Sequence, residues 1–133
     1  MKSRELKDLV GYRLQRGRDT LEEARLMAKE GHWNACANRL YYAAFYMVSA
    51  LLIQNGLASA KHSGVQGLFN RHFVKTGKVA KEHGRLYNTL FDLRQEGDYV
   101  DFVLLGEETV APLIQQVEHF EQALGRLIED APK

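Results

Sequence analysis

Apolar residues along the chain recur at steps of three and four, the spacing of one helix face, in segment after segment. The densest segment is His32–Asn55. There Trp33, Ala37, Leu40, Tyr41, Ala44, Val48, Leu51 and Leu52 form one stripe, and Ala43, Phe45, Met47 and Ala50 fill its flanks. A helix apolar nearly all round is a buried helix, so this segment predicts a core helix with neighbours on several sides. Before it, Leu6, Val10, Leu14, Leu21, Ala24 and Ala28 mark a long first helix over Lys2–Glu30. Gly17 falls on that stripe and would let another helix approach closely. Gly31 and Gly56 are placed as left-handed caps of the first and second helices, which makes the pair an antiparallel hairpin.

Ser63 followed by Gln66 reads as a capping box opening a third helix, with Val65, Leu68, Phe69, Phe73 and Val74 inward and an end near Gly77. Lys78–Lys81 reads as a basic linker. A fourth helix is predicted over Ala80–Glu96, stopping at Gly97, with Leu86, Tyr87, Leu90, Phe91 and Leu93 inward. Asp98–Gly106 is less regular, and Phe102, Val103 and Leu104 suggest a tucked connection. A last helix is expected over Glu107–Glu129, with Pro112 tolerable in a first turn. No alternating run bounded by hairpin turns competes, and there is no internal repeat. The expected fold is all-α: an up-and-down four-helix bundle with an additional short helix, in one domain over residues 1–133.

Composition narrows the setting. The uninterrupted apolar run, Leu40–Ile53, falls short of the about 20 residues a membrane span needs, so a soluble chain is expected, with no membrane partner. There is no signal segment, and the single cysteine, Cys36, sits on the core helix as a packing residue; a reducing cytoplasmic setting fits. The net charge of +1 conceals a segregation. Between Lys61 and Arg85 lie Lys61, Arg71, Lys75, Lys78, Lys81 and Arg85 against Glu82 alone, whereas Asp92–Asp130 holds ten acids against Arg94 and Arg126. Either the two segments neutralise each other or the basic one meets an acidic partner.

Candidate chemistry is sparse. No Glu is followed three residues later by His, and the five histidines are scattered, so neither a metal nor another cofactor is expected. Nucleophile-elbow and phosphate-loop patterns are absent. What remains is polar groups on inward faces. Arg39, with Asn38 and Tyr42, lies on the core helix, and a buried arginine needs a carboxylate or an anion; the expected carboxylate lies within Asp92–Asp101. Arg94 continues the stripe of Tyr87 and Leu90, with Asp98 one turn on and Tyr99 next. Lys61 and His62 precede a helix N-terminus, whose free amides favour an anion. Arg39 and Arg94 could pair with Asp92 or Asp98 to fix bundle register, or some of these groups could bind phosphate or cut RNA by acid–base chemistry.

The series NRLYYAAFYMVSALL, KHSGV, FVKTG and LRQEGDY, in this order, resembles the HEPN domains of prokaryotes, in particular the small stand-alone branch. The resemblance implies a helical bundle that forms a homodimer or higher assembly. It implies a minimal nucleotidyltransferase as partner in a toxin–antitoxin pair, and contact with RNA or a nucleotide. Many members are metal-independent ribonucleases, with an arginine, four to six residues and a histidine near the end of a late helix. The corresponding stretch here is Arg94-Gln95-Glu96-Gly97-Asp98-Tyr99, with tyrosine in the histidine's place. A tyrosine of ordinary pKa, about 10, is a poorer proton shuttle at neutral pH. Two functions follow. One is a dimeric binding module with Arg39, Tyr42, Lys61 and His62 as contacts. The other is a ribonuclease using Arg94 with Asp98, Tyr99 or His62.

Overall fold

In the computed structural model, which describes residues 3–99 and 103–131, all the described elements are helical. Helix α1 spans Ser3–Lys29, α2 Trp33–Gln54 and α3 His62–Phe69. A π-helical turn, Asn70–Val74, continues α3; α4 spans Lys81–Tyr99 and α5 Glu107–Glu129. The four long helices form the bundle and α3 is the additional short one, as the periodicity predicts.

Helix α2 is the centre, packing against α1, α5, α4 and α3. Leu40, Tyr41, Ala44, Met47 and Val48 are fully buried there. By length and composition it could cross a membrane, but two-thirds of its apolar window is buried inside the protein, as in a core helix. Gly17 is the contact point with α1. A Cβ there would stand 2.8 Å from Met47 Sδ and 3.1 Å from the Ala43 carbonyl oxygen, so only glycine lets the two backbones close. Gly31 and Gly56 take φ of 74° and 75°, the left-handed values expected of caps.

Four local expectations are corrected. The Ser63 capping box does not form: α3 begins at His62, Lys61 is its N-cap with no side-chain cap, and Gln66 is drawn off to Asn88 at 2.7 Å. The third helix does not run as α-helix to Gly77, because the backbone widens into the π turn after Phe69. Helix α4 does not stop at Gly97. The Asn34 amide reaches the Gly97 carbonyl at 3.4 Å and the Val103 carbonyl at 2.9 Å, and its oxygen accepts from the Leu105 amide at 2.7 Å. This cross-link from α2 supports the helix beyond its glycine. Finally, Pro112 lies one turn deeper in α5 than the first turn, so Glu108 loses its intrahelical donor there. Of the tucked connection, residues 100–102 lie outside the described residues. Val103 and Leu105 are partly covered, and Leu104 is 90% exposed.

Candidate functional site: an arginine held among tyrosines

The site forms where the middle of α2 meets the second half of α4 and the start of α3. Arg94 is 6% exposed, although it is an arginine. Its guanidinium carbon lies 4.9 Å from the centre of the Tyr41 ring and 5.6 Å from that of Tyr42, and its Nη1 donates to the Tyr42 hydroxyl at 3.1 Å. Ring faces and a phenolic oxygen thus offset part of the cost of removing a charge from water. Tandem tyrosines make this possible: Tyr41 points into the core, and Tyr42, one position on, is half-buried.

Tyr42 carries a second cation. The Arg39 guanidinium lies 5.3 Å from its ring centre. Arg39 is partly buried, at 29% side-chain exposure, but its carboxylate is Glu23 of α1, at 3.1 Å, and not one in Asp92–Asp101. The periodicity gives its face but not its azimuth: α1, not α4, lies beside Arg39. Its Nε and Nη2 donate to Asn38 Oδ1 at 3.1 and 2.8 Å, and the Asn38 amide donates to Asp98 at 2.8 Å. Asp98 is therefore coupled to Arg39 through an asparagine.

On the other side of Tyr41 stands His62. The Tyr41 hydroxyl and His62 Nδ1 share a hydrogen bond of 2.7 Å, and the imidazole stacks on Phe45 at 4.7 Å. Burial first, and then the Arg94 charge, lower the His62 pKa below its ordinary value, so the ring is neutral at pH 7. Burial raises the pKa of Tyr41, against the opposing Tyr87 hydroxyl and Arg94. Tyr87 stacks on Tyr41 at 5.8 Å, and burial takes its pKa well above the ordinary value. Both phenols are thus protonated at neutral pH.

The structure therefore gathers Arg94, Tyr42 and His62, with Arg39 and Asp98 at the margin. Lys61 is exposed beside His62, outside the ring cluster. Tyr99 closes α4, and its side chain lies outside the described residues. Tyr41 is the residue missed as a site member, because its place on the apolar stripe marks it as core. The doubled tyrosine is the one local signal for it. Cys36 is fully buried and its thiol is pushed up to about 11, which makes it a packing residue. Among the described residues no group of three His, Cys, Asp or Glu side chains could hold a metal.

Comparison with known proteins decides the family, because the HEPN domain model matches residues 10–127. The chain belongs to the HEPN family. It is 47% identical over 126 residues to a "UPF0332 protein" of Thermotoga maritima, covering 95% of this chain and 96% of that one. Two Methanocaldococcus jannaschii proteins are also similar. "Putative toxin MJ0142" is 28% identical, covering 85% of this chain and 74% of its own length. "Putative toxin MJ0605" is 23% identical, covering 96% and 95%. Arg94, the cation at the centre of the cluster, lies within the residues that the family model matches.

Proposed function

We propose that this HEPN protein is the toxin-type component of a two-protein pair, a dimeric module that docks a minimal nucleotidyltransferase and holds RNA at the Arg94 cluster. One observation carries the reading: a guanidinium fixed against two tyrosine rings, one of which hydrogen-bonds the His62 imidazole. An arginine pre-oriented in this way gives a phosphate a planar donor at little further ordering cost. The toxin assignment draws on the names of the two M. jannaschii relatives. Self-association draws on the half-buried Tyr42, Tyr46 and Phe91, whose aromatic surface suits an interface core. Light scattering on the purified protein should give at least a dimer, and a monomer at micromolar concentration overturns that part. Co-expression with the neighbouring reading frame should yield a complex containing the transferase.

A second reading, metal-independent RNA cleavage, is favoured by the placement of His62. With Nδ1 engaged by Tyr41, its Nε2 is the atom available to move a proton, the task the motif's missing histidine would perform. The deciding assay incubates structured RNA in chelator with wild type, Arg94→Ala, His62→Gln and Tyr99→His, each checked for folding by circular dichroism. The binding module predicts retained, salt-sensitive RNA binding that Arg94→Ala weakens, with little cleavage by wild type. Robust wild-type cleavage abolished by both Arg94→Ala and His62→Gln overturns the module in favour of the nuclease. Absence of binding and cleavage leaves the protein-partner role alone.

A further inference from the structure

Helix α3 with its π turn lies antiparallel to α4. His62 stands beside the ring partners of Arg94, Gln66 bonds to Asn88, and Val74 packs at the position of Gly84. A Cβ on Gly84 would stand 2.8 Å from Val74 Cγ1, so this glycine lets the two walls meet at depth. At that far end the seam opens into a groove of about 550 Å³.

Four cations line it. Arg71 and Lys75 stand on the π-turn wall, and Lys81 and Arg85 on the α4 wall. All four are exposed, and no carboxylate lines the groove. Among the described residues none of the four is in an ion pair, whereas Arg18, Arg25 and Arg39 each hold a glutamate. Like charges four residues apart on a helix repel. A cluster of this kind is matched only when an anion enters. The floor carries amides: Asn88 Oδ1 accepts from Gln66 at 2.7 Å and from Asn70 at 3.3 Å, which leaves the Asn88 amino group as a donor.

We infer that this groove binds the phosphate backbone of a single-stranded RNA and leads it along the α3–α4 seam toward Arg94 and His62; the inference rests on the RNA-binding reading above. Two facing rows of cations suit a linear polyanion contacted from both sides. A protein segment is a poorer fit, since Val74 is the one large apolar side chain in the lining and protein interfaces are built on an apolar core. With no aromatic ring in the lining to stack a base, the groove would track the backbone with little regard to sequence. His62 and Arg71 are nine residues apart, a rise of about 13 Å along the helix, so a short oligonucleotide spans both ends.

Fluorescence anisotropy with a labelled 20-nucleotide polyuridine, titrated across salt, tests the groove. Four phosphate contacts give a slope of log K against log salt of about −3, at roughly −0.7 per contact. Each double variant, Arg71→Gln/Lys75→Gln and Lys81→Gln/Arg85→Gln, should lower the slope's magnitude by about 1.4 and weaken binding on the order of 10- to 30-fold near 100 mM salt. Arg4→Gln/Lys7→Gln, which removes two exposed cations from the start of α1, should change neither. Groove variants that bind with wild-type affinity and slope overturn the proposal, and if Arg94→Ala then still weakens binding, the Arg94 reading survives alone. Loss in the groove variants with no effect of Arg94→Ala supports the groove and removes Arg94 from RNA contact. A wild type that does not bind polyuridine at 50 mM salt overturns both.

Discussion

The α3–α4 seam and the α1–α5 face treat their charges in opposite ways. On the α1–α5 face two arginines hold glutamates: Arg18 with Glu129 at 3.0 Å, and Arg25 with Glu118 at 2.6 Å and with Glu22. Along the seam one arginine is packed on aromatic rings, and four cations surround a groove without an acid. Exposed ion pairs contribute little to stability and present no net charge to a partner. The four groove cations, unmatched among the described residues, leave a field that a polyanion can use. The groove where this HEPN protein would meet RNA is therefore marked by cations that hold no ion pair among the described residues.

The largest expected effect is at Arg94. Removing it deletes two cation–ring contacts and a charged hydrogen bond, so Arg94→Ala should cost about 2–4 kcal/mol in urea unfolding. Arg94→Lys should recover little, because a point ammonium cannot reproduce the planar contact with both rings. A loss under 1 kcal/mol would mean that the cluster is no more structural than the exposed pairs.

The α1–α5 face has one member that breaks its own pattern. Glu121 is 8% exposed, its Oε2 has no hydrogen-bond partner among the described residues, and burial raises its pKa from 4.5 to about 8. The folded state then holds a proton that the unfolded chain releases. That contribution is fully present below pH 4.5 and is lost as the pH rises to about 8. Glu121→Gln, which stays neutral, should be more stable than wild type by about 2 kcal/mol at pH 9 and nearly equal to it at pH 5. Equal stability at both pH values, measured by chemical denaturation, would place the carboxylate in water.

Arg39 stands between the two regimes, over Tyr42 but paired with Glu23. Arg39→Ala should cost about 1 kcal/mol, the sum of a partly exposed ion pair and a cation–ring contact. The smallest effect belongs to Arg18→Ala, whose ion pair with Glu129 is about half exposed on both sides; less than about 0.5 kcal/mol is expected. A larger loss for Arg18→Ala than for Arg39→Ala would erase the distinction between the regions.

Helices and core were legible because apolar spacing is a local property. The stripe from Trp33 to Leu52 needs only the chain itself to be read. Site geometry is not local. Tyr41 and His62 are 21 residues apart, and Arg94 lies 52 residues beyond Tyr42. Periodicity places each on an inward face but does not say which face of which neighbour it meets. This is why the spacing points Arg39 toward Asp92–Asp101, whereas its carboxylate is Glu23 on α1. The same limit explains Ser63, whose capping partner Gln66 has a competing amide in Asn88. Glu121 was invisible for a further reason, since a glutamate between Phe120 and Gln122 carries no sign that its helix neighbours will close over it.

Asn34 bonds three points of the chain that straddle residues 100–102: the carbonyls of Gly97 and Val103 and the amide of Leu105. One side chain of α2 thus serves as a common latch for the exit of α4 and the approach to α5. In hydrogen-exchange terms, the Leu105 amide is shielded only while that latch is closed, so its protection reads the opening of the latch rather than the unfolding of either helix. The end of α4 that carries Asp98 and the start of α5 would then open as one cooperative unit, on a free-energy scale set by a single asparagine.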